Sequence, residues 1–470
     1  MSKLSEEMIN QVDAAVQLLN TGKADQAAMA FTDILQKDDK ISLAWNNRGL
    51  ALLQLGHPFD AVMNIEKAIA LEPKSPEYYL NLGACYAESE RMDKAIEQYN
   101  KSIAINPKIA QAHMNMGNAF KYKGDPQAAI DYYRKCTEAD PTYVDGHLCR
   151  AFAELTVGNY KEGWDEFEWR WKSNQLVPRG LPMPEWKGED LTGKTLLVYG
   201  EQGHGDSLHF IRYASEVKKK YKCTLLVEVR QPLVRLIKTV DGVDGVITFG
   251  EKVPINEIDY CIPVMSLPRL MGTTVETIPW HGPYFKADQY RVSLWRERLK
   301  QMPPGLLVGL CWAGMSRPGR PQADAIDKRR SMALENFKLP ALNKGVSWVS
   351  LQKGPPRNQI MKPPAGMTIG DWSDDMDDFF DTAALIECLD LVITVDTAVV
   401  HVAGGLGKPT WMLGRWDGCW RWGHNQVSSP WYPTVRQFVQ PKPHDWDSVT
   451  YNVGQALEQW VNQQANRKAA

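Results

Sequence analysis

Two stretches of this chain put chemistry-bearing side chains where an apolar run gives way to a helix. In the first, the run 391–395 stops at Asp396-Thr397, and a helical pattern opens at Ala398. Free backbone N–H groups in a first helical turn, reinforced by the helix dipole, favour an anion such as a diphosphate. Thr397 adds a hydroxyl donor, and His401 lies one turn in. Asp396 is itself anionic, so it fixes the loop or touches a sugar rather than facing phosphate. A capped helix without ligand is the simpler alternative. The second stretch, Gly200-Glu-Gln-Gly-His-Gly-Asp206, follows the run 194–199 and precedes a helical pattern from Ser207. Asp206 suits two roles: a general base toward a hydroxyl, or a cap on the following helix. His204 and His209 flank it.

A leaving diphosphate needs positive charge or strong donors where its charge develops. Lys353, in Ser350-Leu-Gln-Lys-Gly354, follows a strand pattern, and Arg329-Arg330 lie in a long proline-rich stretch, 315–331. The arginine pair reads equally well as a solvated loop. Trp312, closing the strand pattern 306–312, joins Ala398 as a donor-side candidate. Arg415-Trp-Asp-Gly-Cys-Trp-Arg-Trp422 and Trp431 concentrate indoles after the phosphate helix. They stack on a sugar or base, or they form a small core of their own.

Elements that hold such residues are legible around them. Strand patterns at 194–199, 224–229, 246–249 and 260–262 alternate with helical ones, as do later strands at 306–312, 346–351, 391–395 and 410–413. Alternation of this kind predicts mostly parallel sheets. We divide this part into a linker (172–192), a first lobe (193–287), an interlobe helix (288–304), a second lobe (305–445) and a C-terminal helix (446–470).

Asp396 to Pro409 resembles the C-lobe signature of the bacterial heptosyltransferases, approximately D-T-x-x-x-H-x-A-x-x-x-G-x-P. Asp381-Thr-Ala-Ala-Leu-Ile386 is similar to that family's lead-in helix, and Gly205-Asp206 to its N-lobe Gly-Asp. The resemblance covers roughly 193–445. It implies the GT-B fold, two Rossmann-like lobes with the active site in the cleft, no metal or other cofactor, Asp206 as base, and a last helix that braces the first lobe. The stretch 315–331 departs from the family's lysine pattern. A bacterial group of repeat-fused, heptosyltransferase-like proteins is more similar still. It shares Gly-Glu-Gln-Gly-x-Gly-Asp, Ser-Leu-Gln-Lys-Gly and Ser-Pro-Trp-Tyr-Pro, here at 200–206, 350–354 and 429–433. The domain order also resembles the O-linked N-acetylglucosamine transferases.

Repeats precede this region. Gly49, Gly83 and Gly117 recur every 34 residues, as do Ala61, Ala95 and Ala129, and Pro73, Pro107 and Pro141. That period is the tetratricopeptide repeat's, a helix pair. We expect an α-solenoid of about five repeats over 1–171, with Gly22, Gly56, Gly124 and Gly158 in the turns and Glu90 replacing glycine in one. An aromatic helix from Gly163-Trp164 should join it to the next domain. Asn47, Asn81 and Asn115 keep the same period. On the concave helices their amides would grip an extended peptide backbone, or else bond within the repeats.

Fifty-four basic against 56 acidic residues leave no field that attracts nucleic acid. We see no secretory signal and no run of about 18 apolar residues to insert in a membrane. Eight scattered cysteines without a C-x-x-C pair fit reduced thiols and a cytoplasmic protein. The expectation is thus an α-solenoid followed by an α/β GT-B glycosyltransferase. It would move a sugar from a nucleotide sugar to an acceptor polypeptide held by the repeats, as in flagellin glycosylation. A glycan or lipopolysaccharide-core acceptor, and a non-catalytic repeat scaffold, are the alternatives.

Overall fold

The structure is a computed structural model in which residues 5–174, 176–315 and 321–469 are described; 316–320, inside the proline-rich stretch, lie outside them. The chain forms two compact units, Met1–Glu154 and Leu155–Ala470.

Helix–turn–helix pairs build the first unit. They are α1 (Glu6–Asn20) with α2 (Ala24–Lys37), α3 (Ser42–Gln54) with α4 (Pro58–Leu71), α5 (Pro76–Glu88) with α6 (Met92–Ile105), and α7 (Ala110–Tyr122) with α8 (Pro126–Ala139). The division between units falls within α9 (Val144–Val157).

Shape explains the glycine ladder. A Cβ on Gly49 would lie 2.6 Å from Ile65 Cγ1, on Gly83 2.4 Å from Tyr99 Cε1, and on Gly117 2.5 Å from Tyr133 Cε1. Each glycine therefore makes room for a large side chain of its partner helix. Ala61, Ala95 and Ala129 are fully buried beside them. A further ladder emerges from the structure. Trp45 Nε1 donates to Asp39 O (2.7 Å), Tyr79 Oη to Pro73 O (3.2 Å), His113 Nε2 to Pro107 O (2.8 Å) and His147 Nε2 to Pro141 O (3.0 Å). Indole, phenol and imidazole share one task here: tying the loop that enters each repeat to its first helix. In the turns, Gly22, Gly56, Gly124 and Gly158 are left-handed, with φ of 75°, 81°, 78° and 89°, and Glu90 takes φ 58° in the same place.

The second unit begins with the end of α9 and α10 (Tyr160–Phe167). Its first sheet holds β1 (Thr195–Tyr199), β2 (Thr224–Val229), β3 (Gly245–Thr248) and β4 (Tyr260–Pro263), parallel, in the order β3-β2-β1-β4. Between and after these strands run α11 (His204–Phe210), α12 (Tyr213–Tyr221), α13 (Val234–Ile237) and α14 (Leu267–Leu270). After α15 (Gln289–Leu299) comes a second sheet of β5 (Leu306–Cys311), β6 (Val346–Ser350), β7 (Ile369–Gly370), β8 (Leu391–Val395), β9 (Thr410–Gly414) and β10 (Val435–Val439). It too is parallel throughout, in the order β10-β9-β8-β5-β6-β7. Its helices are α16 (Pro321–Arg330), α17 (Phe379–Glu387), α18 (Ala398–Gly405) and α19 (Trp446–Ala469). The expected α/β architecture with parallel sheets is present; β7 and β10 are additions to the expected strands.

The aromatic helix α10 packs inside the second unit, where Trp164 meets Phe210 and Trp420 edge-on at 6.0 and 5.2 Å. One expectation changes. The last helix does not brace the first lobe with its apolar face. Val449, Val453, Ala456 and Leu457 of α19 join the core of the second sheet with Val308, Trp348 and Trp411. Trp411 and Phe438, on β9 and β10, need that cover.

Candidate functional site

Both sheets reverse their winding beside their first strand. β1 lies between β2 and β4, and β5 between β6 and β8. Open parallel sheets bind ligands outside the carboxyl ends of strands at such reversals. Here α11 and α18, which start just beyond β1 and β8, pack on each other. Gly205 permits this: a Cβ there would lie 2.9 Å from His401 Cδ2 and 3.8 Å from Ala398 Cα. Further along α18, Gly404 receives the Tyr432 ring and Gly405 that of Phe285, with virtual contacts of 2.5 and 2.4 Å. The motif glycines are thus packing devices. A second fastening comes from the lead-in motif. The buried Asp381 of α17 accepts Arg235 Nη2 of α13 at 2.6 Å and Arg291 Nη1 of α15 at 2.5 Å, while Arg235 Nε donates to Asp378 at 2.6 Å.

Asp206 does cap its helix, though not from the position expected. The helix starts at His204, so Asp206 sits inside its first turn and reaches back: Oδ2 accepts the Gly203 N–H at 2.7 Å. Oδ1 accepts Arg421 Nη2 at 2.5 Å. The side chains of Arg421 and Asp206 are 10% and 19% exposed. Burial opposes the charge on Arg421, but Cys419, Asp206 and Asp396 outweigh it and hold its pKa above the ordinary value.

Beneath this pair lies a buried polar network. Tyr432 Oη is 3.0 Å from His209 Nδ1, 2.8 Å from His401 Nδ1 and 3.3 Å from Tyr284 Oη. A phenol has one proton to give, so at least one imidazole donates its Nδ1–H to it. Arg212, over the Tyr432 ring at 4.4 Å, donates to His209 O, Trp431 O and Tyr284 Oη. Burial first, and then the arginines, keep both imidazoles neutral. Arg212 and Arg421 act on His209, and Arg421, Arg212 and Arg330 on His401.

The donor-side candidates are only partly gathered here. Ala398 and His401 of α18 touch the α11 seam through Gly205. Thr397, just before α18, turns its hydroxyl toward Thr394 Oγ1 (3.3 Å) and Cys311 Sγ (3.7 Å) instead of capping the helix. Arg330 Nη1 donates to Asp396 O at 2.8 Å, and its Nε and Nη2 hold Asp327. Arg329 pairs with Asp417 at 2.5 Å. Lys353 is exposed, and its ammonium donates to Met376 O. Trp312 must be corrected: it is fully buried in the second sheet's core and presents no face to a ligand. Its neighbourhood is fixed by buried Gln352, whose Oε1 accepts the Trp312 and Ala313 N–H groups at 3.0 and 2.9 Å. The indoles of Trp420, Trp422 and Trp431 are likewise buried, so of the two readings the small aromatic core is the observed one. Among the described residues, no cluster of three or more His, Cys, Asp or Glu is arranged to hold a metal ion.

Residues missed from sequence matter most here: Arg421, Tyr432 and Arg212. The first two lie in the tryptophan-rich and Ser-Pro-Trp-Tyr-Pro stretches, where the neighbouring indoles are the stronger signal. Next to the seam, a cleft of about 260 Å³ opens at the ends of β1 and β2, bounded by Trp171, Tyr199, His204, Arg230 and Phe249.

In the array, Asn81 Nδ2 donates to Asn46 Oδ1 at 2.9 Å, and Asn46 Nδ2 to Asn47 Oδ1 at 3.1 Å. Asn47 is buried, whereas Asn81 and Asn115 are half-buried. Part of the ladder is thus spent on joining neighbouring repeats, and Asn115 stands outside that chain of bonds.

The tetratricopeptide-repeat family profile matches residues 76–109 and 110–143. This chain carries tetratricopeptide repeats. Among curated proteins it is similar to Protein FlbA of Caulobacter vibrioides, 29% identical over 338 residues, 66% of this chain and 54% of that protein. The chain thus spans about half the length of this relative. Among solved structures, the repeats are similar to MamA (23% identity, TM-score 0.30, 33% of this chain and 91% of that one). They are also similar to PilW, a type IV pilus biogenesis factor (20%, 0.34, 37% and 81%), and to a thermophilic repeat protein of Thermus thermophilus (19%, 0.32, 34% and 88%). No helix among the described residues is long and apolar enough to cross a membrane. Tetratricopeptide repeats typically mediate contacts between proteins.

Proposed function

We propose that the α/β unit is a GT-B glycosyltransferase that takes a sugar from a nucleotide-sugar donor and places it on a hydroxyl of a polypeptide recruited by the repeats. One observation supports this above the others. Gly205, next to Asp206 at the first sheet's reversal point, packs on Ala398 and His401 in the first turn of α18, which follows Asp396-Thr397 at the second's. In this reading Asp206 takes the acceptor hydroxyl's proton while that oxygen bonds to the anomeric carbon. The anomeric C–O(phosphate) bond breaks, and the diphosphate leaves with its electron pair, met by the α18 N-terminus and nearby arginines. His401, Arg330 and Lys353 are donor-side residues in support, and Asn47, Asn81 and Asn115 acceptor-side ones.

Calorimetry of the full chain with nucleoside diphosphates and nucleotide sugars, with and without chelator, tests this. Metal-independent binding of one nucleotide is expected, and strict dependence on manganese or magnesium would count against the GT-B reading. Replacing the three asparagines by alanine should weaken capture of an acceptor polypeptide by about tenfold or more and leave nucleotide binding unchanged. The Asp206–Arg421 pair favours a second reading, a repeat scaffold whose lobes have lost catalysis, because it occupies the carboxylate oxygen that a base requires.

A further inference from the structure

We infer that Arg421 is the phosphate ligand of this site, held in reserve by Asp206, and that a bound nucleoside diphosphate takes over its guanidinium and thereby frees the carboxylate. This rests on the reading of the site given above. Three features point to it. First, the two oxygens of Asp206 are held differently. Oδ2 is anchored on the Gly203 N–H at 2.7 Å, within the same turn, whereas Oδ1 is held only across the seam, by Arg421 at 2.5 Å. Loss of the second bond leaves the carboxylate in place with Oδ1 open. Second, Arg421 is under-committed for a buried cation. It is 8% exposed, its Nη1 meets only Cys419 Sγ at 3.2 Å, and its Nε has no hydrogen-bond partner. Buried guanidinium N–H groups are normally satisfied, and an incoming phosphate oxygen would do so with a bidentate bond.

Third, Arg421 lies among the groups a diphosphate would meet. Asp396, just before α18, helps hold its charge, and Arg421, together with Arg212 and Arg330, acts on His401. Arg330 is already committed to Asp327 and the Asp396 carbonyl, and Arg212 to three neutral oxygens. The exchangeable ion pair is therefore Arg421 with Asp206. Asp206 balances the charge of Arg421, and donor binding would unmask the base at the moment it is needed.

The test is calorimetric titration of the full-length protein with UDP, GDP, ADP, CDP and inorganic pyrophosphate. It compares wild type, Asp206→Asn, Arg421→Gln, Arg421→Lys and the Asp206→Asn/Arg421→Gln pair. Asparagine keeps the bond from Gly203 but gives up the charge that competes for Arg421. Asp206→Asn should therefore bind the preferred nucleoside diphosphate about tenfold more tightly than wild type. Arg421→Gln should bind it at least about tenfold more weakly, Arg421→Lys should recover part of the loss, and the double variant should be as weak as Arg421→Gln alone. Binding seen only in Asp206→Asn supports the inference as well. Unchanged or weakened affinity in folded Asp206→Asn overturns it while leaving the transferase reading intact. Absence of nucleotide and pyrophosphate binding from both wild type and Asp206→Asn overturns both. Should Arg421→Gln fail to fold by circular dichroism, Asp206→Asn and Arg421→Lys decide.

Discussion

In the repeat array, Gly83 makes room for Tyr99, a side chain on the very next helix; in the α/β unit, Gly205 makes room for His401, which arrives on the helix after β8 of the other sheet. The same holds for polar groups. Array bonds such as Tyr79 to Pro73 or Asn81 to Asn46 stay within one repeat or join neighbours. Asp206 pairs with Arg421, and His209 with Tyr432, across more than two hundred positions of sequence. Range therefore separates a structure that can be read by period from one that must be assembled before its chemistry exists. It also separates local unfolding, natural in a repeat, from the cooperative loss of a seam that several segments share.

The largest expected effect strikes the long-range side. Asp206→Asn should lower sugar transfer by roughly 100- to 10,000-fold, the usual consequence of removing a general base. Single-turnover transfer with a captured acceptor measures it, and wild-type turnover would remove Asp206 from the chemistry. Next is Gly404→Val. Its branched side chain would need the space of the Tyr432 ring, 2.5 Å from the first added carbon, and the cost is about 3 kcal/mol as overpacking strains the seam. Sixteen of the 17 tryptophans lie beyond Glu154, so indole fluorescence during urea unfolding reads the α/β unit. An unchanged midpoint would mean that the seam yields easily and the contrast with the array is overstated.

What was legible follows the same division. Glycine, alanine and proline ladders and the left-handed turn positions stood in the sequence because each rung repeats a local geometry. The Trp45-Tyr79-His113-His147 ladder was hidden, since different side chains perform one bond. In the α/β unit, strands β1, β2, β5 and β8 were plain as apolar runs. β10 was not, because Arg436 and Gln437 interrupt Val435–Val439 at the sheet's edge. Asp206 and His401 were marked by motif, but Trp312 was misplaced: nothing local tells an indole at a strand's end whether its sheet face is covered. Arg421 could not be singled out without the fold, because only the fold brings Asp206 to it.

A smaller effect comes from pH. His209 and His401 are buried and held below the usual imidazole value of 6.5, by burial first and then by neighbouring arginines. In the unfolded chain they take up protons below that value; in the folded seam they do not. The unfolded state therefore binds more protons as pH falls through 6.5, and stability present above it is lost below it. Two such groups predict a loss of about 2 kcal/mol between pH 7 and 5.5. Tryptophan-detected urea midpoints should show this slope, and His401→Gln should flatten it. An array-specific probe, such as hydrogen exchange in α5 and α6, should not follow the same slope if the histidines of the seam cause it.

The smallest expected effect belongs to the array and runs in the stabilising direction. At the turn between α5 and α6, Glu90 N bonds Ala87 O at 3.0 Å and Arg91 N bonds Tyr86 O at 2.8 Å. The turn between α3 and α4 closes identically, with Gly56 N on Leu53 O at 3.0 Å and His57 N on Leu52 O at 2.9 Å. Backbone bonding is thus the same in both, and Glu90 adds a side chain with interactions of its own, held at left-handed φ. That conformation costs a non-glycine residue about 1–2 kcal/mol, while glycine's extra freedom in the unfolded chain returns roughly 0.5–1 kcal/mol of the gain. Relief of this strain alone contributes about 0.5–1 kcal/mol in Glu90→Gly, set against the side-chain interactions that the change removes, and Glu90→Ala, which keeps the strain, should not stabilise. The reciprocal Gly56→Glu should destabilise by a similar amount, since its turn is otherwise open, with nothing within 4 Å of an added Cβ. Hydrogen exchange of α5 and α6 amides in the full chain reads the first change, and that of α3 and α4 the second. If Glu90→Gly instead loosens its repeat, the glutamate side chain does more for the turn than its backbone strain takes away, and the array is less purely a backbone structure than its period implies.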